Sequence, residues 1–311
     1  VSSFWQSKRI LVTGGAGFIG SFVVDALVRR GVRREDIVIP RSQDCDLRML
    51  ENCRRAVDGC QIVLHLAAET GGIAFSRSHP ATQYYNCSLI NLHMMEAARL
   101  TGVQKFVALG NLLAYPAAAP SPLQEVDLHN GKIAETHLGI GLSKRDLVLM
   151  AEMYYRQFGM DAVVVLAANA YGPRDRFHPT HSHVIPATIA KCFQEQELIV
   201  WGDGTPTRDF LYVEDLAEGV LLAAERLEAP QFVNLASGTE ISIRDLVYLI
   251  VKLTGFTGSI TFDTSKGGGD PRRVASVSRA QQLIGFKARY SFEEGLRQTI
   301  AWYKAEVLKQ R

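Results

Sequence analysis

Apolar residues fall into two textures that alternate along the first half of the chain. Short continuous runs stand at Arg9–Thr13, Asp36–Ile39, Ile62–Leu66, Lys105–Leu109 and Ala162–Leu166. Between them lie longer amphipathic stretches at Ser21–Arg30, Ser88–Leu100 and Arg145–Phe158. A continuous run rich in Val, Ile and Leu leaves no polar face, so a strand built from it must be covered on both sides. Such strands joined by helices form a parallel, doubly wound sheet, and the expected fold class is α/β. Near residue 170 the texture changes: Pro, Gly and His become frequent and the elements shorten. A helix over Glu240–Leu253 follows the turn Ala236–Thr239, a terminal helix covers Phe292–Tyr303, and Gly267–Gly269 reads as a mobile loop. We expect a first domain over 1–170, to which the chain returns at about 210–240, interleaved with a smaller second α/β domain over 171–311.

Composition excludes more than it proposes. The 311 residues carry 34 Lys plus Arg against 32 acidic residues, a net charge of +2, which gives no reason to expect nucleic acid or a membrane surface as partner. No apolar run approaches the ~20 residues that span a bilayer. The five cysteines are odd in number and contain no CxxC pair, so neither a disulfide framework nor a metal site is expected. With no charged segment followed by an apolar stretch at the start, the expected localisation is cytoplasmic.

The first chemistry lies in Thr13-Gly-Gly-Ala-Gly-Phe-Ile-Gly20, between the first strand and the first helix. Gly14, Gly17 and Gly20 give the spacing GxxGxxG. A tight turn, close approach of a pyrophosphate to backbone, and a helix packed hard on its strand all favour glycine there. The helix N-terminus, with Phe18 and Ile19 in its opening turn, offers free N–H groups to phosphate. This strand–turn–helix context points to a Rossmann-type dinucleotide-binding domain, so the second domain is left to bind substrate. The second strand runs into Pro40-Arg41-Ser42, with no acidic residue to bind a ribose 2′-hydroxyl. A cation and a hydroxyl suit a 2′-phosphate, so the expected cofactor is NADP(H), with NAD(H) as the alternative. Asp46 and Leu47 then fit beside the adenine. Leu66, Ala67 and Ala68 end the strand facing the adenosine ribose and pyrophosphate.

Several longer pieces resemble the extended short-chain dehydrogenase/reductase family, in particular its GDP-fucose synthase branch. They are TGGAGFIG (13–20), HLAAETGGI (65–73), Leu113-Ala-Tyr-Pro116, Ser143-Lys144, Asn169-Ala-Tyr-Gly-Pro173, FHPTHSHVIPA (177–187) and VWGDGTPTRDFLYVEDLA (200–217). The resemblance covers nearly the whole chain. It implies an NADP(H)-binding epimerase/reductase acting on a GDP-4-keto-sugar. It also implies a catalytic Ser or Thr, and a Tyr four residues before a Lys on one helical face. In that chemistry Tyr donates a proton as hydride arrives, while Lys lowers the Tyr pKa and holds the nicotinamide ribose. Lys144 is present. Ile140 stands where the Tyr belongs, Asn111 where the Ser or Thr belongs, and Leu113 where the branch has an epimerisation Cys. The matching His is kept as His183. The resemblance places Asn169, Lys191, Trp201 and Arg208 against the substrate; Trp offers a stacking face and the cations suit a diphosphate.

The cofactor site thus reads as intact and the acid/base set as depleted. Three readings stay open: an altered reaction in the same pocket, a non-catalytic dinucleotide-binding pseudoenzyme, and an evolved or engineered enzyme for a more apolar substrate. The last would gather Leu112, Leu113, Ile140, Ala167 and Ala168 in one place. Glu69, at the end of a strand before Thr70-Gly71-Gly72, and His137, seven residues before Lys144, are candidate substitute acids. His178 and His181 flank His183. His65, inside an apolar strand, reads as a core residue. Met94, Met95, Leu147, Met150 and Tyr154 exceed what one internal face needs, and point to a homodimer through a four-helix bundle.

Overall fold

The computed structural model describes residues 3–71, 73–178, 182–266 and 270–309. Gly72, His181 and the Gly267–Gly269 loop lie outside the described residues. The elements run β1 (Ile10–Thr13), α1 (Phe18–Arg29), β2 (Ile37–Val38), α2 (Leu50–Val57), β3 (Ile62–His65), α3 (Ile73–Ser78), α4 (Pro80–Leu100), β4 (Lys105–Asn111), α5 (Leu138–Phe158) and β5 (Ala162–Ala167). Then follow β6 (Asn169–Tyr171), α6 (Val184–Gln194), β7 (Glu197–Trp201), β8 (Thr207–Arg208), β9 (Phe210–Tyr212), α7 (Val213–Arg226), β10 (Phe232–Leu235), β11 (Ile241–Ser242), α8 (Ile243–Thr254), β12 (Ser259–Asp263), β13 (Arg272–Arg273), α9 (Ser278–Ile284) and α10 (Phe292–Trp302).

Six strands form one parallel sheet in the order β10-β5-β4-β3-β1-β2. Every residue of β1, β3 and β5 is buried, as their unbroken apolar sequences require. The chain leaves β1 toward β2 on one side and returns to β3 on the other, so the strand order reverses between β1 and β3. Ligands bind outside the carboxyl ends of strands at such a reversal. A second, aromatic core gathers Tyr171, Phe210, Tyr212, Leu246, Ile250, Leu296 and Tyr303 around the shorter strands.

Several boundaries differ from the sequence expectation. The helix expected from Ser88 begins at Pro80, and the one expected from Arg145 begins at Leu138. Neither opening turn carries a strong helical pattern; packing of one helix on the other supplies what propensity lacks. Tyr84 Oη donates to Asp146 Oδ2 across that contact at 2.9 Å. Residues expected to open the helix at Glu240 instead form β11, which pairs with β8, and α8 starts at Ile243, capped by Ser242. The apolar surplus on α4 and α5 is also redistributed. Met94, Met95 and Leu147 are fully buried, Met150 nearly so, and Tyr154 is half-buried and donates to Glu96 Oε2. The exposed apolar residues on these helices are others, led by Tyr85 at 62% and Met153 at 57%, and include Leu92, Leu100, Leu149, Tyr155 and Phe158. The expected residues lie on the faces of α4 and α5 that pack into the core, and the exposed ones on the faces turned away from it.

Candidate active site

The glycine loop closes over the carboxyl ends of β1 and β3. Gly14 has φ +70°, and a Cβ there would lie 3.1 Å from Ala67 N. A Cβ on Gly20 would lie 2.1 Å from Gly14 O, so only glycine lets α1 start this close to the turn. Gly17 is the N-cap of α1 and brings no side chain to its first amides, which stay free for an anion; Phe18 and Ile19, in that first turn, are half-buried.

A buried relay holds the loop to α5. Thr13 Oγ1 accepts from Leu66 N at 3.1 Å and Ala67 N at 3.2 Å. Its one proton therefore goes to His65 Nδ1, 2.9 Å away. His65 Nε2–H then donates to Asn91 Oδ1 at 3.1 Å, and Asn91 Nδ2 to Ser143 O at 3.2 Å. Only the neutral Nε2–H tautomer satisfies every partner. Burial, with Lys144 nearby, pushes the His65 pKa down to about 3. His65 is thus a core residue. Leu66, Ala67 and Ala68 leave β3 half-buried at the mouth of the reversal.

At the outer end of the loop a cavity of about 410 Å³ opens between Gly15, Ala16, Ser21, Ile39, Arg34 and Arg41. Arg41 and Ser42 are exposed. Arg34, in the turn before β2, is a second cation that strand-end reading missed, because it precedes the strand in sequence and meets Arg41 only in space. Neither guanidinium has an ion pair among the described residues. The carboxylate on the same wall, Asp25, is taken by Arg174 at 2.7 Å. Asp46 and Leu47 serve the protein's own turn. The Asp46 carboxylate accepts from Arg48 Nη2 at 2.7 Å and from Arg48 N at 2.9 Å, which holds its pKa below the usual range. Leu47 is buried, and its carbonyl accepts from Cys53 Sγ.

At the other end stand the residues read as catalytic. Lys144 is 4% exposed, its Nζ donates to Leu109 O at 2.9 Å, and burial pushes its pKa down. Ile140 lies one turn earlier on α5, buried, with nothing polar to offer. Asn111 Oδ1 accepts from Leu113 N at 3.1 Å and caps the turn Leu112–Ala114. Its Nδ2 makes no hydrogen bond among the described residues. Arg145 Nε donates to Ala114 O at 2.9 Å, pinning this turn to α5, and Arg273 Nη1 grips Leu112 O from β13. Leu112, Ala167 and Ala168 are buried and Leu113 half-buried.

The alternative acids separate clearly. Tyr115 is fully buried, donates to Asn234 Oδ1 at 2.8 Å, and burial raises its pKa well above the phenol range. Glu69 does not stand free in the crevice as expected: Oε2 accepts from Asn86 Nδ2 at 2.9 Å, which draws it onto α4. His183 is the N-cap of α6 and exposed; Asp175 lies near enough to feel its charge. His178 is exposed. His137 ends the turn Glu135–His137 that leads into α5, and is only 6% exposed. Its Nδ1 meets Thr136 Oγ1 at 3.0 Å, while its buried Nε2 has no partner among the described residues. Burial pushes its pKa down to about 4; Asp270 pulls the other way, and Arg273 and Arg208 add to the depression.

The substrate-side residues sit on the shorter strands. Arg208 lies in β8, not in a turn, half-buried beside Arg273 in parallel register, with Nη1 donating to Thr207 O at 2.7 Å. Arg273 in turn holds Asp270 at 2.8 Å. Asn169 Nδ2 donates to Asp209 O at 3.3 Å. Trp201, at the end of β7, is 56% exposed, so it is a surface ring and not a core aromatic. Lys191 Nζ donates to Ile199 O on the same strand at 3.1 Å. Arg208, Arg273, Asp270 and His137 thus stand together, while Lys191 and Trp201 meet at β7.

Known proteins resemble this chain in sequence and fold. The profile of the NAD dependent epimerase/dehydratase family matches residues 10–236. The chain is 33% identical to Probable GDP-L-fucose synthase 1 of Oryza sativa subsp. japonica, over 100% of this chain and 97% of that protein. It is 33% identical to GDP-L-fucose synthase of Escherichia coli strain K12, over 96% and 97% respectively. A crystal structure of a GDP-L-fucose synthetase from Naegleria fowleri bound to NADP superposes with a TM-score of 0.86 at 25% identity, covering 96% of this chain and 95% of that one. The chain belongs to the NAD dependent epimerase/dehydratase family.

Proposed function

We propose that this protein binds NADP(H) together with a GDP-linked sugar, as an epimerase/reductase whose acid/base site is impaired. The observation that carries the reading is a contrast within one crevice. The dinucleotide end keeps its glycine loop and two guanidinium groups with no ion pair among the described residues, while the position one turn before Lys144 holds Ile140. The backbone of Gly14 to Gly20, Arg41, Ser42, Arg34 and Lys144 would hold the cofactor. Two unpaired guanidinium groups beside the loop fit a 2′-phosphate, which an acidic residue would repel. Bound there, the cofactor supplies hydride chemistry. The chain's own residues can orient a carbonyl through Asn111 Nδ2, but Ile140 brings no proton to its oxygen. Asn169, Lys191, Trp201 and Arg208 serve the nucleotide-sugar, the first domain binding the dinucleotide and the second the substrate. Relatives named as GDP-L-fucose synthases support this substrate class. Calorimetric titration with NADPH, NADH, GDP-sugars and UDP-sugars tests it. Tight GDP-sugar binding supports an enzyme of this class. Cofactor binding alone supports a non-catalytic dinucleotide-binding protein. Buried Leu112, Ile140, Ala167 and Ala168 favour instead an evolved or engineered enzyme for a more apolar substrate in the same pocket.

Arg41→Ala is expected to weaken NADPH binding by about 10- to 100-fold and to leave NADH nearly unchanged, since one charge-assisted hydrogen bond is lost. Equal loss for both cofactors would remove Arg41 from the 2′-phosphate.

We further propose a homodimer through α4 and α5, whose exposed apolar row a partner copy would cover in a four-helix bundle. Sedimentation should give about twice the 34.4 kDa chain mass. A double Tyr85→Glu, Met153→Glu variant should sediment as the monomer.

A further inference from the structure

Three points along α5 give the site a direction. Lys144 lies where β4 ends, against Leu109 O. Ile140 follows one turn nearer the helix start, and His137 stands just before the first turn. A helix rises about 1.5 Å per residue, so these steps cover ~6 Å and then ~4.5 Å toward its N-terminus. They end among Arg208, Arg273 and Asp270, the charged cluster of β8 and β13. A ligand with its reacting end at Lys144 and its diphosphate at the arginines would lay the intervening sugar over Ile140 and His137.

His137 Nε2 is a buried polar atom left open there among the described residues, together with Asn111 Nδ2 and the remaining Lys144 Nζ protons. Lys144 Nζ is taken by Leu109 O, Asn111 Oδ1 by Leu113 N, Glu69 Oε2 by Asn86, and the Tyr115 hydroxyl by Asn234. His65 has both ring nitrogens bonded. At His137, Nδ1 is met by Thr136 Oγ1, while Nε2 is buried and has no partner among the described residues. A buried ring nitrogen in a folded protein is ordinarily hydrogen-bonded, and one left without a partner beside charged side chains is a place for a ligand atom. When Thr136 donates to Nδ1, Nε2 carries the proton and acts as donor.

We propose that His137 Nε2 hydrogen-bonds an oxygen of the sugar ring in the bound nucleotide-sugar, giving that ring the polar contact that Ile140 cannot. This rests on the nucleotide-sugar reading above. It assigns His137 to recognition of the sugar and leaves the nucleotide and diphosphate to other residues. The charged neighbours that bear on it are Asp270, Arg273 of β13 and Arg208 of β8, and Thr136 of its own turn meets Nδ1. Burial keeps the ring neutral at pH 7, Asp270 opposing it and Arg273 and Arg208 adding to it, and a neutral Nε2–H suits an uncharged hydroxyl or carbonyl oxygen.

The test titrates the whole protein with GDP-mannose and with GDP by calorimetry. For His137→Ala, GDP-mannose binding should weaken by about 5- to 20-fold while GDP changes less than about twofold, as one hydrogen bond is lost. His137→Gln, which keeps a donor near the Nε2 position, should recover part of the loss. In ¹⁵N spectra the wild-type His137 Nε2 resonance should shift with GDP-mannose and stay put with GDP. Unchanged GDP-mannose affinity in His137→Ala, or equal losses for both ligands, overturns the proposal while the nucleotide-sugar reading stands. A wild type that binds neither ligand overturns that reading and this proposal with it.

Discussion

Replacing Ile140 by Tyr is expected to raise NADPH oxidation with a GDP-4-keto-6-deoxy sugar by ~10²–10⁴-fold, the usual worth of a positioned general acid. Hydride arriving at a ketone leaves negative charge on oxygen, and Ile140 can neither protonate it nor hydrogen-bond to it. A phenol at 140 would stand one turn from Lys144 on the same face of α5, at the spacing where side chains meet. The Lys144 ammonium, fixed by Leu109 O, would then lower the phenol pKa by its charge. Asn111→Ser should add to the gain by giving the oxygen a hydroxyl partner, and Leu113→Cys should restore epimerisation with His183. Because Ile140 is buried, a thermal melt of the variant checks that the larger ring is accommodated. If unmodified protein already turns over briskly and no variant exceeds it, the proton comes from elsewhere and the impaired-site reading falls.

The second large effect is expected at Gly20. Its would-be Cβ lies 2.1 Å from Gly14 O and 2.6 Å from Gly15 Cα, both backbone atoms that cannot swing aside. Gly20→Ala must therefore open the loop or push α1 off β1. The expected cost is ~2–4 kcal/mol of stability. NADPH affinity should fall at least ~10-fold, because loop amides set about 1 Å out of place no longer converge on a phosphate. Fluorescence titration and a thermal melt on the same samples separate the two losses. Undiminished NADPH binding in a folded Gly20→Ala protein would mean that the dinucleotide does not rest on this loop.

The dinucleotide end was legible in the sequence because its determinants are local. Gly14, Gly17 and Gly20 sit within one strand–turn–helix unit, and continuous apolar runs alone dictate parallel strands covered on both faces. Ile140 could be placed against Lys144 for a similar reason, since that helical spacing spans five consecutive positions, but that a Tyr belongs there came only from the family resemblance. Elsewhere the same reading fell short. Arg34 and Arg41 belong to one cavity, yet lie on opposite sides of a strand in sequence. Glu69 appeared free until α4, starting at Pro80 and not at Ser88, brought Asn86 to its carboxylate.

What the sequence by itself determined is the set of local geometries: which segments are buried strands, where the phosphate loop must turn, and which side chain at position 140 lacks a proton. What only the tertiary structure decided is which long-range partners occupy the remaining polar groups. It paired Tyr115 with Asn234, closed both sides of His65, tied Lys144 to Leu109, and left the Nε2 of His137 without a partner among the described residues, beside arginines from β8 and β13. The physical reason is range. Backbone preference and helical spacing act over a few residues and leave a pattern in the chain. Burial and hydrogen bonding act between whichever atoms the fold brings within about 3 Å, and no spacing in the sequence records that distance.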